Sequence, residues 1–189
     1  MGRSKRMAAI LGALVMAMTT VVVASTVAPA QAVVVGVPDR IYSYYNSKCM
    51  DVDSSRGGAN GSKIQLWECI GSASNQQWYL THVYTSGDGI RYYNVVSRAY
   101  FKCLDADVSS GPVSYGTKVQ LWDCLPGASN QRWRIDDRAP AGTRWLRSHA
   151  NTGFVMDADT SRGSVNGMKI QMWACCAGGN NKLFFSSIF

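Results

Sequence analysis

The chain has 189 residues, 47% of them hydrophobic and 16% charged, with six cysteines, two histidines and a formal net charge of +7. Beyond residue 6 its lysines and arginines are dispersed, with neither a basic run nor a strip of aromatics and cations, so nothing here tracks a phosphate backbone and nucleic acid is a poor partner. His82 and His149 lie outside any motif, and G-x-S-x-G, H-E-x-x-H and His/Cys clusters are all missing, which leaves little material for hydrolytic or metal-assisted catalysis.

In chain order, Gly2, Arg3, Ser4, Lys5 and Arg6 precede an uncharged apolar run from Met7 to Val27 and then Ala30-Gln31-Ala32. These are the three parts of a secretory signal peptide, expected over residues 1–32; the run is also long enough to act as an uncleaved anchor. Cleavage would remove Arg3, Lys5 and Arg6, lower the net charge to +4 and leave a chain of one-domain size with no second membrane segment. Residues 33–40, with Pro38, read as an extended arm.

From residue 41 onward, short runs rich in Val, Ile, Tyr and Trp alternate with Gly, Ser, Asn and Asp clusters. They predict strands at 41–46, 63–69, 77–83, 90–97, 118–124, 132–136, 143–148, 169–175 and 183–186. No window carries a helical apolar stripe, so the expected class is all-β. Three units of about four short strands point to a closed barrel with a hairpin cap.

The runs form three copies of one pattern. Cys49-Met-Asp51, Gln65-Leu-Trp67-Glu-Cys69 and Asn75-Gln76-Gln-Trp78 recur as Cys103-Leu-Asp105, Gln120-Leu-Trp122-Asp-Cys124 and Asn130-Gln131-Arg-Trp133. They recur once more as Val155-Met-Asp157, Gln171-Met-Trp173-Ala-Cys175 and Asn181-Lys182-Leu-Phe184. Such self-similarity means one supersecondary unit used three times, each too small to bury its apolar face alone. The copies are expected at about 41–92, 93–145 and 146–189. The second aromatic of each, Trp78, Trp133 or Phe184, is expected to fill the core near the pseudo-threefold axis.

Cysteines in a secreted chain suggest disulfides, and the repeat singles out Cys49 with Cys69 and Cys103 with Cys124. Each closes a loop of about 20 residues, stabilising by about 3 kcal/mol in the chain-entropy view. Val155 breaks the pattern in the third copy and strands Cys175 beside Cys176. These two either form a strained vicinal ring or leave at least one thiol free or intermolecular.

The triplicated motif resembles the ricin B-type lectin domain, a β-trefoil carbohydrate-binding module, over residues 41–189. The resemblance implies an all-β trefoil of three internal repeats with pseudo-threefold symmetry, no cofactor and no metal. A flat indole packs on the C–H face of a sugar, while carboxylate and amide groups fix its hydroxyl rim. The implied pockets are Asp51, Gln65, Trp67, Asn75 and Gln76; then Asp105, Gln120, Trp122, Asn130 and Gln131; then Asp157, Gln171, Trp173 and Asn181, with Lys182 in place of the second amide. Implied partners are a polysaccharide, a cell-surface glycan or a separately secreted glycoside hydrolase. The scaffolding alternative is that these Asp, Asn and Gln side chains brace turns and strands. At the level of function the rival is a trefoil that binds protein, as an extracellular protease inhibitor or toxin subunit.

Asp53, Asp107 and Asp159 follow the first acids and open like a calcium loop. Arg56, Ser110 and Arg162 stand where such a loop needs glycine, so turn formation is the expectation instead.

Overall fold

The computed structural model describes residues 36–137 and 144–175, together with the backbone of strand 183–185. The expected signal peptide, Cys176, Asn181, Lys182 and the side chain of Phe184 lie outside the described residues.

Twelve strands run in chain order: β1 (Ile41–Ser43), β2 (Cys49–Val52), β3 (Ser62–Trp67), β4 (Trp78–Thr85), β5 (Arg91–Ser97), β6 (Cys103–Ala106), β7 (Val119–Trp122), β8 (Trp133–Asp136), β9 (Trp145–Ser148), β10 (Phe154–Ala158), β11 (Met168–Ala174) and β12 (Leu183–Phe185). Nine answer to the predicted runs. The three that do not, β2, β6 and β10, are the Cys-x-Asp segments, including Val-x-Asp in the last copy. Their aspartates look like turn openers in sequence, yet here each faces a glutamine across a hairpin.

Six strands close a barrel through β1–β12, β4–β5, β5–β8, β8–β9 and β9–β12, with an Asp39–Trp78 bridge joining the lead-in of β1 to β4. The other six form three hairpins, β2–β3, β6–β7 and β10–β11. Their second strands meet one another cyclically: β3 pairs with β7 and with β11, and a Lys118–Gln171 bridge links β7 to β11. This is the β-trefoil with three internal repeats and pseudo-threefold symmetry. Helical structure among the described residues is confined to short 3-10 turns.

Strand alternation sorts the side chains. Met50, Val52, Ile64 and Leu66 of the first hairpin join Leu104, Ala106, Val119 and Leu121 of the second and Met156, Ala158, Ile170 and Met172 of the third in one buried core. The intervening residues, Asp51, Lys63, Gln65 and Trp67 and their counterparts, therefore sit on the outer face of the hairpins. Trp78 and Trp133 are buried in the same core, and each indole N–H donates to a hairpin carbonyl, Met50 O and Leu104 O, both at 3.0 Å. The ring thus packs its apolar area while its polar atom stays satisfied.

Cys49–Cys69 and Cys103–Cys124 are disulfides, with Cα atoms 5.1 and 5.0 Å apart. In the third hairpin Val155 has no sulfur to offer. There the buried Arg147 donates to Asp136 Oδ2 at 2.5 Å and to the Cys175 sulfur at 2.6 Å, and it also bonds Thr152 O, tying β9 to the ends of β8 and β11. Cys175 is disulfide-bonded.

The two tryptophan classes should separate in stability measurements. Trp133→Ala, which empties a fully buried site and orphans Leu104 O, is expected to cost about 3–5 kcal/mol in urea unfolding. Trp67→Ala, on the surface, should cost less than about 1 kcal/mol.

Candidate functional site

The hairpin register brings the motif residues together. Asp51 stands opposite Gln65 and Cys49 opposite Trp67; Asp105 opposite Gln120 and Cys103 opposite Trp122; Asp157 opposite Gln171 and Val155 opposite Trp173. The Asn-Gln pair arrives from a 3-10 turn, Ser74–Gln76 or Ser129–Gln131, that runs directly into the core tryptophan.

In the first copy the Asp51 carboxylate accepts three amide bonds: from Gln65 Nε2 at 3.0 Å, Asn75 Nδ2 at 2.9 Å and Gln76 Nε2 at 3.1 Å. In the second, Asp105 accepts from Gln120 at 3.1 Å, Asn130 at 2.8 Å and Gln131 at 3.0 Å. Gln76 also donates to Glu68 O and accepts from Ile70 N, and Gln131 does the same with Asp123 O and Leu125 N. Gln76 and Gln131 are fully buried. They therefore orient the carboxylate from beneath and have no surface to offer a ligand, contrary to their expected place in the lining. A carboxylate has about four acceptor positions, so three amides leave each aspartate about one.

The aspartates are 5% and 4% exposed, and Asp157 is 1% exposed; Trp67 and Trp173 are 36% and 39% exposed, and Trp122 is partly exposed. Each copy thus carries an accessible indole beside a recessed acid. Asn181 and Lys182 of the third set lie outside the described residues, while Gln171 accepts from Lys169 Nζ at 3.4 Å.

The second acids have a different role. Asp53 and Asp159 cap 3-10 turns by accepting from Ser55 N and Ser161 N, and Asp107 accepts from both the N–H and the hydroxyl of Ser109. They form turns, and no group of three His, Cys, Asp or Glu suited to a metal occurs among the described residues.

Sequence reasoning missed what neighbouring copies contribute. The tips Asn60-Gly61, Tyr115-Gly116 and Asn166-Gly167 each lie on the next hairpin around the axis. Gly61 N donates to Leu121 O, Gly116 N to Met172 O and Gly167 N to Leu66 O. In return Lys118 Nζ donates to Gly61 O, Lys169 Nζ to Gly116 O and Lys63 Nζ to Gly167 O. A Cβ on Gly167 would come within 3.7 Å of Gln65 Oε1 and 3.9 Å of the Trp67 ring, so this tip packs against the outer face of the first hairpin. All three tip glycines have positive φ, which favours glycine. The legible signal was the recurring x-Gly-x-Lys at 60–63, 115–118 and 166–169.

The residue before that glycine differs. Asn60 bonds Asp123 and Lys102, and Asn166 bonds Lys48 and Glu68 N. Tyr115 instead meets Trp173 at 5.0 Å and Phe154 at 5.2 Å, edge to face in both cases.

Comparison with known proteins gives the site a context. The family model for the ricin-type beta-trefoil lectin domain matches residues 38–184. No curated protein sequence matches the chain. Among solved structures, the designed threefold-symmetric protein ThreeFoil is similar at 26% identity and a TM-score of 0.63, covering 77% of this chain and 94% of its own. The C-half of an earthworm R-type lectin, solved with GalNAc, is similar at 23% identity and a TM-score of 0.52, with 78% and 97% covered. The ricin B-like lectin of Macrolepiota procera, solved with lactose, shares 17% identity at a TM-score of 0.60, with 81% and 96% covered.

Burial holds the Asp51 and Asp105 carboxyls above the usual carboxylate range despite their amide donors. Asp53 is held below it by the Ser55 backbone N–H, and Asp107 and Asp159 by the Ser109 and Ser161 side chains. As pH rises, NMR titration of the carboxyl carbons should therefore show Asp53, Asp107 and Asp159 ionising first and Asp51 and Asp105 last. The folded state binds the Asp51 and Asp105 protons more tightly than the unfolded chain does, so their contribution to stability falls as pH climbs from the ordinary carboxyl pKa through the raised one. The three turn acids act in the opposite sense, and their stabilisation is lost as pH falls through their lowered pKa values.

Proposed function

The chain belongs to the ricin-type β-trefoil lectin domain family, a family of carbohydrate-binding domains, and we propose that it is a secreted, non-catalytic lectin that binds sugars through shallow pockets at Asp51/Trp67 and Asp105/Trp122, with a third at Asp157/Trp173. The observation that carries this reading is the duplicated arrangement in which an oriented carboxylate with one acceptor position left lies beside an indole, exposed at Trp67 and partly exposed at Trp122. A pyranose laid on the ring would present a hydroxyl to that position, and a hydrogen bond to a charged group contributes about 1.5–3 kcal/mol. Gln65, Gln120, Asn75 and Asn130 fix the carboxylate so that it need not reorganise on binding.

Secretion is supported by the N-terminal charge and hydropathy pattern and by two disulfides, which persist in oxidising compartments. No helix among the described residues is long and apolar enough to cross a membrane. A non-catalytic role is supported by the way Asp51 and Asp105 are each held by three amide donors, an arrangement that orients a lone carboxylate and differs from the opposed acid pair that acts across a glycosidic bond. Single shallow pockets bind weakly, and several on one chain raise avidity on a polysaccharide or glycan-coated surface where their spacing allows simultaneous contact.

A glycan array followed by titration of the best ligand tests the reading. Trp67→Ala with Trp122→Ala, both surface changes, should weaken binding at least about tenfold, equivalent to about 1.4 kcal/mol. Asp51→Ala with Asp105→Ala should abolish it, with circular dichroism checking the fold because three amides lose their acceptor in each copy. Undiminished binding by both folded double variants would sink the pocket assignment. Binding should also weaken on acidification as Asp51 and Asp105 protonate and lose acceptor capacity.

A further inference from the structure

The loops that leave the first strand of each hairpin are not equivalent. From the turn acid to the lysine, Asp53 to Lys63 and Asp159 to Lys169 are each ten residues apart, whereas Asp107 to Lys118 is eleven. Three positions after the acid stand Arg56, Ser110 and Arg162. In the first loop the Arg56 guanidinium turns back and donates to Gly61 O at 3.1 Å. Ser110 is too short to do this, and the second loop also lacks the 3-10 turn found in the other two. Beneath it lies a hollow of about 300 Å³, lined chiefly by Asp107, Ser110, Pro112, Ser114, Tyr115 and Lys118.

Both ends of the hollow lead to sugar-site residues. Lys118 Nζ donates to Gln120 Oε1 at 3.0 Å, the same glutamine whose amide orients Asp105. Tyr115, 62% exposed, crosses to the third copy and stands edge to face with the exposed Trp173. A polar hollow is thus continuous with an amide of the second pocket on one side and an aromatic corner on the other.

Resting on the lectin reading above, we propose that the loop of residues 107–118 forms an extended subsite that makes this chain select a neutral oligosaccharide over a single sugar. The chemistry of the lining fits that ligand. One carboxylate and one ammonium leave the hollow without net charge, three hydroxyls at Ser110, Ser114 and Thr117 match the rim of a sugar, and the Pro112 and Tyr115 rings match its C–H faces. A residue linked to the sugar in the second pocket lies in the hollow, and the chain continues over Tyr115 toward Trp173. The first and third copies carry an arginine at the corresponding position, Arg56 and Arg162.

The test is isothermal titration of the full chain with mono-, di-, tri- and tetrasaccharides of galactose, glucose, xylose and N-acetylglucosamine. For the best series, the trisaccharide or tetrasaccharide should bind at least about tenfold more tightly than its monosaccharide. Ser110→Arg, which introduces the bulkier side chain found at this position in the other two copies, should bring that ratio near one while leaving monosaccharide affinity within about twofold. Tyr115→Asn, which restores the tip residue of the other copies, should lower the ratio as well. A ratio unchanged in both variants, no preference for length in the parent, or monosaccharide binding lost together with the longer ligands in Ser110→Arg would each overturn the subsite while leaving the lectin reading intact. Failure of the parent to bind any sugar would overturn the lectin reading and the subsite with it.

Discussion

Everything on the outer face of this protein depends on one cross-strand register. A hairpin that sets aspartate against glutamine and cysteine against tryptophan places an acid, an amide, a sulfur and an indole on one side, while the alternating residues enter the core. A slip of one residue would exchange the two faces, putting Asp51 into the barrel and Met50 into water. The buried carboxylate then organises its surroundings. Its amide partners come from the opposite strand and from the turn that precedes the core tryptophan, so a single side chain joins the hairpin to the barrel strand that follows it. Left unpaired at this depth a carboxylate would be costly, and satisfied by three donors it specifies one arrangement.

The same residues therefore serve as scaffold and, in the function proposed above, as the recognition surface. Gln76 and Gln131 face inward and bond backbone on both sides, which is the bracing role. Trp67 and Trp173 face outward and remain exposed, which is not the behaviour of a core aromatic. Asp51 and Asp105 lie between the two, mostly consumed by the scaffold and with one direction left over. In the third copy the covalent clasp is lost at Val155, and the interior of the hairpin is held by a buried Arg147 bonded to an acid, a carbonyl and a sulfur.

Much of this was legible in the sequence because three copies had to agree. Nine strands stood out as apolar runs between turn residues, both complete disulfides followed from bracketing within a copy, and Trp78 and Trp133 lie in the core where their recurrence placed them. The short strands β2, β6 and β10 did not stand out, because an aspartate inside a four- or five-residue strand looks like a turn until its partner across the hairpin is known. Contacts between copies were hidden for a related reason. Asn60, Tyr115 and Asn166 act on a hairpin that is distant in sequence, and only closure of the ring brings them there. The hollow under the second loop was hidden as well, since its lining comes together only when that loop folds.

Because each loop tip rests on the following hairpin, the three copies form a ring of mutual dependence. Trp173 has a tyrosine neighbour only because the preceding unit carries one, and the glycine tip beside Trp67 belongs to the last unit. On the lectin function proposed above, ligand preference at one position is thus written partly into the unit before it. A lone repeat cut from the chain would lack the contacts its neighbour supplies, and drift in one unit would alter the surroundings of the next.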